Sequence, residues 1–535
     1  MMRSRSRTGE DGVAMITVMM IVLVLTLLMV AAITYAVQSE PLSRRDHDWN
    51  AALAAAQAGV DDYLYRLQQD DNYYSFSKAT PPTPANTAFT AWRTIPGPAN
   101  QGQFHYSVDI TQFGSQGIVQ LTSTGRVRGV QRTIRANLRR RGFLDYLYLT
   151  DFEVLDPQSG VYSDPATAAA VCDVYWWHGR PTSPCIRISF ANGDAINGPL
   201  HSNDTISVNG SPRFNGEATT GYSGRMSCPA STTYTYRWYG LSGCGDTPQF
   251  LSGDPEAAPV LPLPTSNTQV KIETDRAAGK TGCLYNGPTR IVLNASGTMT
   301  VTSPFTTSAS YASCVGSNVA LPTNGVIYVQ NVPTAQVATC TGSQNRLGYP
   351  IANDVTSYAC RLGDVFLSGT LRGRLTIAAE NNIVVVANTT YSTSGPASND
   401  LLGLIAYNFV QVYHPVNSSR TNLSDARNPT ATFQNPQIHA AILALTHSFI
   451  VQNYDDGAQL GTITLNGVIA QKWRGPVGTS GGTGYLKNYG YDTRLKYASP
   501  PFAMDLTQAP FGVNQWAEIP NPPACPPATP ACLPP

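Results

Sequence analysis

Apolar and polar positions along this chain fall into three regimes. In the first, residues Val13 to Val37 carry no charged side chain. As a helix this stretch is about 37 Å long, enough to cross a hydrocarbon core of about 30 Å. In the second, Trp49, Leu53, Ala56, Val60, Tyr63 or Leu64, and Leu67 recur at steps of three and four. That is one apolar face of an amphipathic helix, and Ala51 to Ala58 is rich in the strongest helix former. Ser39-Glu40-Pro41 predicts a break and restart between the two halves, because proline suits a first turn. Asp70, Asp71 and Asn72 predict the end. Val13 to Gln69 makes a rod of about 85 Å if continuous, kinked near Pro41.

The third regime is short strands. Residues 77–100 read as a Pro-, Thr- and Ala-rich loop. Phe104, Tyr106, Val108 and Ile110 then alternate. Ile118, Val119, Leu121 and Val127 follow, and then Val130, Thr133, Ile134 and Leu138. With turns at Gly114 to Gly117 and at Arg128-Gly129-Val130, they predict a three-stranded antiparallel meander. From Phe143 to about 520, β-prone stretches such as Val326 to Val329, Asp364 to Leu367, Ile383 to Val386 and Ile438 to Ile450 are separated by Asn and Gly. Their spacing suggests β-solenoid coils. No strict period holds, so a β-sandwich stays open. Eight prolines and two cysteines make residues 519–535 an extended tail. The fold class is therefore α+β, mainly β. Its parts are a leader 1–12, a membrane helix 13–37, a helical extension 38–69, a small sheet 70–142, a β-rich body 143–518 and the tail 519–535.

Charge changes little in this picture. The 35 basic and 34 acidic residues give no basic excess for a nucleic-acid partner. The cluster Arg135, Arg139, Arg140 and Arg141 lacks a wider basic face and reads as a solvated strand edge. Charged residues are only 13% of the chain, as suits an extracytoplasmic β protein. The ten cysteines sharpen that point. Cys172, Cys185, Cys228, Cys244, Cys283, Cys314, Cys340, Cys360, Cys525 and Cys532 all follow the apolar segment, with no C-x-x-C pair. They read as structural disulfides of an oxidising compartment, neighbours pairing in the simplest scheme, although sequence alone does not fix connectivity. Arg3, Arg5 and Arg7 favour a cytoplasmic N-terminus, which places the body outside.

A plain anchor would satisfy the length of the apolar segment. A cleaved secretory signal would have an apolar region of only about 7–15 residues, although Thr34-Tyr35-Ala36 fits a signal-peptidase site. The flanks point elsewhere. A short basic leader ends in Gly12 and runs directly into Val13-Ala14-Met15-Ile16-Thr17. This resembles the leader of type IV pilins and pseudopilins, and among them the PilX-type N-terminal family of minor pilins. The resemblance implies cleavage by a prepilin peptidase between Gly12 and Val13, with the helix retained. Thr17 stands where most pilins carry Glu. The phrase Leu121 to Arg126, followed by Gln131-Arg132-Thr133, is similar to pilin heads. Gly198-Pro199-Leu200-His201-Ser202-Asn203-Asp204 and Arg474 to Gly478 resemble phrases of large PilX-type proteins. The implied partners are the lipid bilayer and other pilin-like subunits, with Ala31, Ala32 and Ala36 as a close-approach face.

Catalytic chemistry finds little support. His201 and Ser202 are adjacent on a predicted strand and so point to opposite faces. No G-x-S-x-G elbow and no Walker A motif occurs. His439 and His447 could share a face, with His414 nearby, but no third metal ligand is evident. Asp455-Asp456-Gly457 reads as a hairpin turn with too few oxygens for calcium. Tyr175-Trp176-Trp177-His178 could stack on a sugar. The expectation is a non-enzymatic structural subunit or assembly factor of a type IV pilus or a type II secretion-like pseudopilus, anchored by its N-terminal helix, with no cofactor and no metal. The alternatives are an anchored adhesin or carbohydrate-binding protein and, less favoured, a β-helix polysaccharide-active enzyme.

Overall fold

The computed structural model describes residues 11–70, 73–76, 86–97, 102–113, 117–140, 142–228, 231–240, 245–340, 346–428, 430–503 and 511–519. Side chains of 11–13, 36–43, 226–228, 231–236 and 337–339 are outside that description. The chain forms two compact units. One takes in Met1–Ile110, Val119–Leu138 and Gln515–Pro535, the other Thr111–Ile118 and Arg139–Asn514.

In the first unit a single helix runs from Asp11 to Gln69 without interruption. The break predicted at Ser39-Glu40-Pro41 is absent. An internal proline removes its own hydrogen bond and crowds the carbonyl four residues back, yet the helix carries on across that position. Its buried face is Ala52, Ala55, Ala56, Val60, Tyr63 and Leu67. Trp49, predicted on that face, is 50% exposed, and the Arg132 guanidinium lies 4.7 Å from its ring. Small residues win the inner position because the sheet comes very close. A Cβ on Gly125 would lie 2.2 Å from the Ala56 nitrogen, and one on Gly59 would lie 2.2 Å from Ser123 Oγ.

That sheet is antiparallel through its first four strands, in the order 93–94, 103–109, 119–127, 130–140, with the strand Phe511–Ile519 next to the fourth. Three of these match the predicted meander. Val127 pairs with Val130 across a two-residue turn, and both turn residues, Arg128 and Gly129, have positive φ (47° and 86°). Such a turn matches the twist of a hairpin. The pattern did not anticipate the strand Phe511–Ile519. The tail from 520 onward lies outside the described residues.

The second unit is a β-solenoid. The strands of its two walls stack in parallel, which excludes a sandwich, while Thr298–Thr302 and Gly316–Ala320 add antiparallel strands at one edge. One wall has the order 256–257, 218–220, 200–202, 148–155, 462–474, 437–444, 401–406, 374–379, 326–330, 283–286. The chain thus enters the wall in the middle, at Tyr148–Leu155, and builds outward to Glu256–Ala257. It then crosses to the far end, restarts at Cys283–Asn286, and returns until Thr462–Arg474 pairs with the entry strand. Residues far apart in sequence become neighbours at this seam, with Ile469 opposite Tyr148.

The crossing segment lies along the outside of the wall. Leu261 and Val270 pack with Val326, Tyr328, Ala378, Ile405 and Leu443. Asn267 donates to the Ala379 carbonyl at 2.8 Å and accepts from the Tyr328 hydroxyl at 3.0 Å. Both faces of the wall are therefore covered, and its strands read as continuous apolar runs. Leu401–Ala406 is buried at every residue. A second wall stacks 289–294, 365–371, 383–391, 410–412 and 449–451. Where the walls turn, polar side chains stack in register. Thr446 donates to Asn408, Asn408 to Asn381, and Asn381 to the Asp364 carboxylate.

Candidate functional site

The helix Asp11–Gln69 contains one span, Ala14–Tyr35, long and apolar enough to cross a membrane. Every side chain in that span is exposed, Leu23 at 60% and Met29 at 64% among them. Exposing an unbroken apolar surface to water costs roughly 25 cal/mol per Å², so this surface calls for lipid or a like helix. Its polar side chains are compatible with lipid. Thr26 donates to the Val22 carbonyl at 2.8 Å and Thr34 to the Val30 carbonyl at 2.7 Å, so neither hydroxyl is left bare. Thr17, Ala31 and Ala32 are on the exposed helix. Gly12, Val13 and Ala36 are in the same helix, with Val13 and Ala36 side chains outside the described set.

Three disulfides close loops of the second unit: Cys172–Cys185, Cys283–Cys314 and Cys340–Cys360. The pairings 228–244 and 525–532 fall outside the described residues.

The residues weighed for catalysis are held apart. His201 is buried between Thr219 Oγ1 (2.8 Å) and Asn203 Oδ1 (2.9 Å). The Asn203 amide nitrogen donates elsewhere, so its oxygen must accept and His201 carries its proton on Nε2. Burial pulls the imidazole down to about 4, with the Asn203 bond pulling it back. Ser202 instead donates to Glu153 at 3.2 Å. The three further histidines are dispersed. His414 meets the Gln452 carbonyl and Asn422, His439 packs edge-on to Tyr391, and His447 bonds Asp156 and stacks on Phe409. Among the described residues no group of three His, Cys, Asp or Glu could hold a metal. Asp455-Asp456-Gly457 forms a turn in which Arg420 pairs with Asp456.

The aromatic run is no open platform. Tyr175 is stacked between Phe152 (5.1 Å) and Trp177 (4.9 Å), and Trp177 also lies against Tyr222 (5.6 Å). Their ring faces serve one another. Arg139, expected at a solvated edge, is buried and bonded to Asp145 and the Leu495 carbonyl. The strand continues into packed structure there, so its end is not an edge.

The sequence reading did not single out the seam. Away from it, the inward column Ala379, Ala406, Ala444 is apolar; across it the same column becomes Gln471, Thr150, Ser202, Thr220. Arg474 pairs with Glu153, both nearly inaccessible, and its guanidinium lies 3.6 Å from the Phe190 ring centre. Burial pushes the Glu153 carboxyl up against the pull of Arg474. Lys487 Nζ is 2.8 Å from Asp194. Burial holds that amine below its ordinary value, Asp194 working the other way. Arg474, Asp194 and Lys487 border a cavity of about 520 Å³, and Glu153 lies behind Arg474, outside its lining. The only sequence signal was a set of charges, Glu153, Arg474 and Lys487, inside strand-like runs.

A family model, PilX N-terminal, matches residues 11–61. No curated protein matches the chain. Among solved structures, the crystal structure of the competence-associated pilin ComZ from Thermus thermophilus is similar over 88% of this chain and 97% of that one. It is 14% identical, with a TM-score of 0.26. The N-terminal segment is thus pilin-like, of the PilX N-terminal type, and it is followed by a large C-terminal body.

Proposed function

We propose that the chain is a structural subunit or assembly factor of a type IV pilus or a related pseudopilus, held by its N-terminal helix. One observation carries the reading. A wholly exposed apolar span, Ala14–Tyr35, continues as one helix into a half whose small-residue face is fastened to an antiparallel sheet. The match of residues 11–61 to the PilX N-terminal family supports it. On this reading a prepilin peptidase cuts between Gly12 and Val13, and the N-terminus faces the cytoplasm with the body outside. The mechanism is burial. Helix surface leaves lipid for contact with like helices, where Ala31, Ala32 and Ala36 allow close approach. Thr17 cannot supply the carboxylate that most pilins present near the mature N-terminus, so its part in subunit register is uncharged.

The test is cysteine cross-linking in native membranes. Ala32→Cys is expected to form cross-linked species with sister or partner subunits, and a cysteine at exposed Ser394 in the body is not. Extraction by alkaline carbonate without detergent, or no cross-link at Ala32, counts against the proposal.

A further inference from the structure

We propose that Lys487 and Asp194 become joined by an amide bond between their side chains, formed by the folded chain itself with loss of one water. The bond staples the returning end of the solenoid to the coil that starts it. The inference does not depend on how the helix is anchored.

Position is the first argument. The three disulfides bridge separations of 13, 31 and 20 residues, so each ties a local loop. Among the described residues no disulfide crosses the seam, where the chain meets its own start. Lys487 and Asp194 are 293 residues apart in sequence and stand on opposite sides of it. The strand Leu486–Tyr491 runs parallel to Ala195–Asn197, with Asn488 opposite Ala195. Lys487 and Asp194 each come one position earlier, so the backbone itself sets them side by side. A link here closes most of the solenoid into one loop, and long loops are where a cross-link restricts the unfolded chain most.

Geometry is the second. Lys487 Nζ lies 2.8 Å from a carboxylate oxygen of Asp194. The Ala191 nitrogen donates to the same oxygen at 3.0 Å, which pins the carboxyl group in place. Groups held in contact and well aligned react at effective concentrations of about 10⁵ M or more. That advantage drives an amide bond which free partners in water do not form.

Chemistry is the third. The other lysine–carboxylate pairs among the described residues are Lys280–Glu273 and Lys472–Asp173. Their lysines are 39% and 30% exposed, against 19% for Lys487. Tyr148, Phe190 and Tyr489 are buried and share the cavity wall with the pair. Burial holds the Lys487 amine below its ordinary value against the pull of Asp194, and the Arg474 charge adds to the lowering. In such surroundings a neutral pair costs less to bury than an ionic one. The proton therefore passes along the hydrogen bond from ammonium to carboxylate. The freed amine lone pair adds to Asp194 Cγ. The bond from Cγ to the protonated oxygen then breaks, and the hydroxyl leaves as water with a proton from the nitrogen. An N–C bond replaces a C–O bond, nothing is oxidised or reduced, and no further reactant is consumed.

The full chain, purified in detergent micelles, is reduced, denatured and digested with trypsin, and the peptides are read by mass spectrometry. The expected species is residues 188–213 joined to residues 475–494, one water lighter than the two together and uncut after Lys487. Lys487→Arg keeps the charge pair without the nucleophilic amine, and Asp194→Ala removes the carboxyl group. Each is expected to abolish the joined species. Separate peptides 188–213 and 475–487 in the wild type overturn the proposal. So does a water lost elsewhere, as at Asp456-Gly457, or a joined species that persists in Lys487→Arg. The wild-type digest decides alone if a variant fails to fold.

Discussion

The sheet touches the helix backbone itself at Gly125 and Ala56: a Cβ on Gly125 would come within 2.2 Å of the Ala56 nitrogen. One residue pair away, Ser123 Oγ donates to the Ala56 carbonyl at 2.8 Å. The obstacle on the helix side is main chain, which cannot rotate aside. Gly125→Ala is therefore expected to destabilise the first unit by about 1–3 kcal/mol, and Gly125→Val by more. Urea unfolding in detergent, followed by circular dichroism, measures this. Unchanged stability in Gly125→Val would mean the helix does not sit this close.

The seam pair makes a second prediction. Arg474→Met leaves Glu153 buried without its partner and is expected to cost about 3–5 kcal/mol. Adding Glu153→Gln should recover much of that loss, because the stranded charge is gone. A double-mutant cycle read by thermal unfolding checks it. Additive losses would contradict the pairing.

Asp364 ends a ladder of stacked polar side chains, accepting from Asn381 and from the Asn382 nitrogen. Burial raises its carboxyl to about 6 from 3.8, against the pull of those hydrogen bonds. The folded state thus holds this proton more tightly than the unfolded one. The stabilisation is full below the unfolded value and is lost as pH rises through about 6, at most about 3 kcal/mol. Asp364→Asn is expected to flatten that fall between about pH 4 and about pH 6. Urea midpoints across the range test it; a slope identical to wild type contradicts it.

His201 has the opposite sign. Its folded-state value, about 4, lies below the ordinary 6.5. Its contribution is therefore full above the ordinary value and is lost as pH falls toward the folded one. His201→Gln should reduce the acid-side loss by up to about 3 kcal/mol, at a cost near neutrality of about 1 kcal/mol for imperfect hydrogen bonds. The same urea series measures both, and an unaltered acid limb in His201→Gln would show that the imidazole is not held neutral.

Much of the architecture was readable from local pattern. Uncharged length located the apolar span, and period-two runs located the strands 103–109, 119–127 and 130–140. Uniformly apolar runs such as Ile383–Val386 marked strands buried on both faces. Other features depend on contacts that no local window contains. The inner helix face shifted from Trp49 to Ala52 and Ala55 because Gly125, far along the chain, draws the sheet in. The strand Phe511–Ile519 is exposed at four successive residues, Gln515 to Glu518, so its alternation is lost there, and its place beside the fourth strand is set by tertiary pairing. The seam was invisible for the same reason. Glu153 and Arg474 mean little until the last long strand of the solenoid returns beside the first.

The claim that the apolar helix is kept and buried in the assembled state is tested most directly at the mature N-terminus. Protein purified from its own membranes is digested, and its N-terminal peptide is read by mass spectrometry. The account predicts a chain beginning at Val13, with the span Ala14–Tyr35 retained and the protein in the membrane or filament fraction. A freely soluble chain that begins after Tyr35 would contradict it.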